Sequence, residues 1–253
     1  MSGIIKSAQR VMEIFELFDE ARYPLSLQEI CVRLDYPISS GAALLKSLIK
    51  LGYLEYDKQS RTYFPTMRIA VMGSWIEPSL QARTGILPIM KRLLAETEQT
   101  VFLGTRSDLY AQYVHVLRGK TRAHFAIPPG TLRPLTRSGM GLLFLSLLTQ
   151  RELEHTLRRV NAAEPDRSLR RTVQSVEVEI ATIKDQGYTF RKNIFHADGS
   201  IVAMLLPGTS FNRRFAIGLG GNTEYMTSSL SYLLDRLRSA VSDMEQLDAI
   251  DAP

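Results

Sequence analysis

The chain has 253 residues and a formal net charge of +5, and 45% of its residues are hydrophobic, enough for two packed domains. Cys31 is the sole cysteine, which excludes an intramolecular disulfide and a cysteine-built zinc site. No apolar run approaches the roughly 18 residues of a membrane span, and the first residues open into an amphipathic charged segment without a signal-peptide core, so a cytoplasmic protein is expected.

The positive charge favours a polyanionic partner, but it is unevenly placed. Residues 1–78 hold nine Lys/Arg and nine Asp/Glu, whereas Tyr36–Leu54 has no acidic residue and carries Lys46 and Lys50. A small basic face on a neutral segment suits a modest number of phosphate contacts.

In chain order, Ser7 precedes Val11, Ile14, Phe15, Leu17 and Phe18 at helical spacing, a first helix of about four turns ending near Ala21 before Tyr23-Pro24. Ser26-Leu27-Gln28-Glu29 reads as a capping box opening a short second helix that stops before Pro37. A third helix follows, with Ser39 or Ser40 as its cap, a buried stripe of Leu44, Leu45, Leu48 and Leu51, and Gly52 at its left-handed end. Tyr53–Tyr56 and Thr62–Phe64, separated by Asp57-Lys58-Gln59-Ser60, read as a hairpin. Helix, short helix, turn, helix and hairpin make the plan of a winged helix-turn-helix, whose third helix enters the major groove. On that plan the candidate DNA contacts are Ser26, Ser39, Ser40, Ala42, Ala43, Lys46 and Lys50, with Arg61 at the wing tip and Arg10 on the first helix. Each serine also has a plain reading as a helix cap, and each lysine as a solvated side chain.

Thr66 caps a linker helix carrying Ile69, Ala70, Met72 and Ile76. Beyond it, helices near 84–99, 139–148, 151–160, 173–186 and 224–247 alternate with strands near 101–105, 111–117, 124–127, 188–195, 201–206 and 215–220, an α+β domain. The expected division is residues 1–65, a linker helix over 66–82, and a second domain over 83–253. A ligand is expected at the start of the helix at Ser138-Gly139-Met140-Gly141, where small residues and free N–H groups attract a carboxylate. Thr136 and Ser138 would add hydroxyls, and Phe102, Val202, Met204 and Ile217 apolar walls, which fits a small organic or aromatic acid. Gly139 and Gly141 have an alternative role in close helix–sheet packing.

Catalysis finds no foothold. His115, His124, His155 and His196 lack metal-ligand spacing, no GxSxG or GxxxxGK[ST] motif is present, and Gly218-Leu219-Gly220-Gly221 stops short of GxGxxG. No catalytic residues, metal ligands or cofactor are expected.

The order of motifs resembles the IclR family of bacterial regulators. The stretches that carry it are SAQRVMEIFEL from Ser7, PLSLQEICVRL from Pro24, PISSGAALLKSLIKLGY from Pro37, the wing EYDKQSRTYFP, PLTRSGMGLLFL from Pro134, and KDQGY from Lys184. The resemblance spans nearly the whole chain. It implies a winged helix-turn-helix, a linker helix and a GAF-like effector-binding α/β domain, in a homodimer or homotetramer that binds operator DNA, more often as a repressor. The chain departs from the family's pattern at Ala42-Ala43, where a polar or basic pair is common, and at Leu142, where a lysine is frequent. The strand Ile201–Leu206 also lacks the family's cysteine. These changes imply altered base readout and a more apolar pocket. The alternative is a winged-helix oligomerisation or protein-interaction module without ligand sensing.

Overall fold

A computed structural model describes residues 5–74, 85–120, 127–193, 195, 197–208 and 213–250. The second half of the expected linker helix (75–82), most of the expected strand at 124–127, and His196 lie outside the described residues. The chain divides into two compact units, Met1–Ser79 and Leu80–Pro253.

The first unit is built from α1 (Lys6–Ala21), β1 (Leu25–Ser26), α2 (Leu27–Arg33), α3 (Ile38–Lys50), β2 (Leu54–Asp57), β3 (Thr62–Pro65) and α4 (Met67–Gly73). The three strands form an antiparallel sheet in the order β1-β3-β2. Ile14, Leu17 and Phe18 of α1, Ile30 of α2 and Leu45 and Leu48 of α3 bury one common core with Leu25 and Leu54. α1 and α3 each contribute residues three or four apart, the spacing that puts them on one face.

Local chemistry sets the ends of these elements. Ser26 and Glu29 form the reciprocal capping box that opens α2, and Gly52 takes φ +77° just past α3. At the start of α3 the expectation fails. The helix begins at Ile38 with Pro37 as its N-cap and no side-chain cap, so Ser39 and Ser40 lie inside the first turn. Proline presets the entry backbone angle there, and the first-turn N–H groups have no side-chain acceptor from the cap. Leu51 is 57% exposed, and buried Gly41 takes its place in the stripe with Leu45 and Leu48.

The second unit carries α5 (Ile86–Thr97), β4 (Thr100–Ser107), β5 (Tyr110–Leu117), β6 (Leu132–Pro134), α6 (Gly139–Leu145), α7 (Gln150–Ala163), α8 (Val173–Gln186), β7 (Thr189–Lys192), β8 (Gly199–Leu205), β9 (Phe215–Asn222), α9 (Thr223–Ser228) and α10 (Leu230–Ile250). Its six strands form an antiparallel sheet in the order β6-β5-β4-β9-β8-β7. The long closing helix expected over 224–247 is two helices, separated at Ser229.

Because strand side chains alternate between faces, the sheet sorts its residues into two cores. Val101, Leu103, Val202, Ile217 and Leu219 pack with α5 and α10 on one face. Phe102, Ala111, Tyr113, Ala203 and Ala216 pack with α6, α7 and α8 on the other. Both faces are covered by helices, so the strands read as near-continuous apolar runs.

Candidate functional site

Two sites emerge, one in each unit. In the first, α3 turns Ser39, Ala43, Lys46, Ser47 and Lys50 to solvent, with Ser40 and Ala42 partly covered. Ser47 spends its hydroxyl on the Ala43 carbonyl at 2.8 Å. No acidic residue lies on α3, so its outer face carries only hydroxyls, methyls and two ammonium groups. Arg10 stacks its guanidinium 4.9 Å from the centroid of the Tyr36 ring, which places it beside the start of α3. The Tyr36 hydroxyl donates to Glu13, and burial together with that carboxylate holds the phenol far above its ordinary pKa.

The hairpin turn is set by Asp57, which accepts from the Gln59 N–H and the Ser60 hydroxyl, both at 2.8 Å. Those hydrogen bonds hold the Asp57 carboxyl below the usual range. Arg61, with φ 56°, is exposed at the same turn. Ser26 is engaged elsewhere: its hydroxyl donates to Glu29 at 2.7 Å and accepts the Glu29 N–H at 3.3 Å. Arg68 ties α4 to the end of α3, donating to the Leu51 carbonyl at 3.0 Å with its guanidinium 4.8 Å from the Tyr53 ring centroid.

The second site is a small cavity, open at its mouth, on the α6 face of the large sheet. Its floor is Phe102 and Tyr113, whose ring centroids are 5.0 Å apart. Gly220 of β9 makes room for that floor, since a Cβ there would sit 2.6 Å from Phe102 Cε2. Ile127, Phe195 and Ile201 add apolar wall, and Ser138, Gly139 and Ser200 small polar wall. Three arginines complete the lining: Arg133 of β6, Arg137 before α6, and Arg191 of β7. No acidic residue lines the cavity among the described residues.

Each guanidinium is held differently. Arg191 donates to Glu179 at 2.6 Å, and Arg171 donates to the same carboxylate at 2.6 Å. Arg137 lies 3.7 Å from Glu164, and Arg133 and Arg137 face the Phe195 ring with guanidinium carbons 4.3 and 5.5 Å from its centroid. The Nε–H groups of Arg133 and Arg191 are buried without an acceptor. Buried polar groups in native proteins are nearly always paired, so two orphaned cationic donors beside one cavity are unusual. Burial pushes the Tyr113 phenol up to about 12, which keeps it neutral at ordinary pH.

Of the expected ligand residues, Phe102, Ser138 and Gly139 line this cavity. Thr136 and Met140 are buried nearby but not on its wall. Val202, Met204 and Ile217 are corrected: their side chains pack on the α5–α10 face, the opposite side of the sheet. The run Ile201–Leu206 has no polar alternation to show its phase, and a one-residue error in phase exchanges the faces. At the helix start, α6 spans only seven residues and Ser138 Oγ itself accepts the Gly141 N–H at 3.0 Å, so the cationic groups on the cavity wall are the three guanidiniums. The expected more apolar pocket is thus a basic one.

Two family models cover most of the chain: the IclR helix-turn-helix domain matches residues 7–58, and the bacterial transcriptional regulator IclR C-terminal domain matches residues 79–246. The chain belongs to the IclR family of bacterial transcriptional regulators. Among curated relatives, the HTH-type transcriptional regulator TsaQ1/TsaQ2 of Comamonas testosteroni is 24% identical over 250 residues, covering 96% of this chain and 88% of its own. The acetate operon repressor of Salmonella typhimurium is 21% identical over 192 residues, covering 75% of this chain and 70% of its own. Among solved structures, an IclR homologue of Microbacterium hydrocarbonoxydans complexed with 4-hydroxybenzoate superposes with a TM-score of 0.73 at 16% identity, covering 96% of this chain and 98% of its own. These relatives are transcriptional regulators, and the fold is theirs: a helix-turn-helix unit and an α/β unit. Among the described residues no helix is long and apolar enough to cross a membrane, and no cluster of three or more His, Cys, Asp or Glu could hold a metal ion.

Proposed function

We propose that this IclR-family regulator represses transcription by binding operator DNA as a homodimer or homotetramer, under control of a small organic acid bound in its C-terminal unit. Residues 1–65 form the DNA-binding domain, 66–82 the linker and 83–253 the effector and oligomerisation domain. The observation that carries the effector assignment is the cavity with three arginines, aromatic rings and, among the described residues, no carboxylate on its wall. Such a lining pairs an anionic group with an apolar body. The acetate operon repressor supports the repressor reading, and the 4-hydroxybenzoate complex supports an aromatic acid.

In this reading Ser39, Ser40, Ala42 and Ala43 meet base edges, the alanines through thymine methyl groups. Lys46, Lys50, Arg61 and Arg10 hold phosphates, and Ser26 fixes the start of α2 with its backbone near the strand. Met67, Val71 and Met72 of α4 are exposed, as a helix awaiting a second protomer would be. The effector shifts DNA affinity only through different affinities for the two arrangements of the DNA-binding heads. A band-shift titration of the duplex upstream of the protein's own gene tests this. An aromatic carboxylate is expected to change the protein concentration for half-binding. Binding unaffected by every acid that occupies the cavity would overturn the regulatory coupling.

A further inference from the structure

The charge balance of the cavity narrows the effector class, resting on the reading of that cavity as the effector site. Arg137 is answered by Glu164, and it also acts on Asp166 from the neighbouring loop. Arg191 and Arg171 share the single carboxylate of Glu179, which leaves one positive charge of that trio unanswered. Arg133 has no carboxylate partner among the described residues and is met only by the Phe195 ring. Two uncompensated positive charges therefore remain. They belong to the places where Nε–H donors also lack acceptors, Arg133 and Arg191. These residues stand on opposite edges of the sheet, in β6 and β7, with the Phe102–Tyr113 floor on the strands between.

We infer that the effector is a dianion with a flat apolar body, an aromatic dicarboxylate by class, whose two anionic groups are taken separately by Arg133 and Arg191. A monocarboxylate answers one of these positive charges and leaves the other uncompensated. Charge-assisted hydrogen bonds are stronger than neutral ones, so the second anionic group is worth about tenfold or more in affinity. The rings of Phe102, Tyr113 and Phe195 face the body of the ligand, and Gly139 and Gly220 keep the walls beside it flat.

The test is isothermal titration calorimetry on the full chain at pH 7 and low salt, with benzoate and the three benzene dicarboxylates as probes. The best dicarboxylate is expected to bind at least about tenfold more tightly than benzoate. In Arg133→Gln that advantage is expected to collapse, with benzoate affinity changed far less. Benzoate binding as tightly as every dicarboxylate overturns the dianion assignment and leaves the effector cavity standing. Binding of no probe removes the cavity as an aromatic-acid site, and the dianion with it. The wild-type ratio decides the question even where Arg133→Gln fails to fold.

Discussion

Replacing Gly220 by alanine tests whether the cavity floor is packed as tightly as the structure shows. The new Cβ would lie 2.6 Å from Phe102 Cε2, a shortfall of 0.8 Å against the 3.4 Å at which ordinary contact begins. Phe102 is 1% exposed and stacked on Tyr113, so its ring has little room to retreat. Overpacking of this kind costs about 1–3 kcal/mol. The φ of Gly220 lies outside the left-handed region, so alanine also restricts the unfolded chain and returns about 0.4–1 kcal/mol. The net expectation is a loss of about 0.5–2 kcal/mol, or roughly 2–4 °C in Tm per kcal/mol for a unit of this size. Phe102→Leu removes the ring edge that the methyl strikes, so the two substitutions should couple. The double variant is expected to be more stable than the sum of the single losses by about 1 kcal/mol or more. Urea unfolding followed by far-UV circular dichroism measures all four corners of the cycle. A neutral Gly220→Ala, or losses that simply add, would refute the packing argument.

Further outcomes follow from the first unit. Ser26→Ala removes the α2 cap and should destabilise by roughly 1 kcal/mol at neutral pH. Ser26 holds the Glu29 carboxyl below its ordinary value of 4.5, so that carboxylate stabilises the fold above 4.5 and loses its contribution as pH falls through the lowered value. Denaturation from pH 7 to pH 3 should therefore show the wild-type advantage narrowing only below pH 4.5; a gap constant with pH would remove the box from the account. Gly52→Ala forces a side chain into φ +77° beside Arg68 and should cost about 1–2 kcal/mol, read as a lower urea midpoint; an unchanged midpoint would contradict it. Lys46→Ala should reduce the slope of log affinity for operator DNA against log salt by about 0.9 per protomer. An unchanged slope would place Lys46 off the phosphates.

The first unit was legible because its signals are local. A capping box, Gly52 and a leucine spacing each fix one end or face of an element. What escaped was the start of α3, because Pro37 sets the entry angle two residues earlier and leaves Ser39 and Ser40 inside the first turn. The candidate ligand site was only half legible. Phe102, Ser138 and Gly139 were found, yet three of the proposed walls fell on the wrong face, because a strand buried on both sides carries no alternation to set its phase. The arginines escaped for a different reason. Arg133, Arg137 and Arg191 come together only through the pairing of six strands, and in the sequence each resembles an ordinary surface residue.

The account's central claim is a ligand-responsive operator-binding protein, and fluorescence anisotropy on DNA tests it most directly. The purified chain is titrated onto labelled duplex from upstream of its own gene and onto an unrelated duplex, across a salt series, with and without a saturating benzene dicarboxylate. The account predicts tighter binding to the upstream duplex, affinity falling steeply with salt, and a shift in that affinity when the dicarboxylate is present. Equal affinity for both duplexes, unmoved by the acid, would contradict it and favour a winged-helix module that pairs with protein instead.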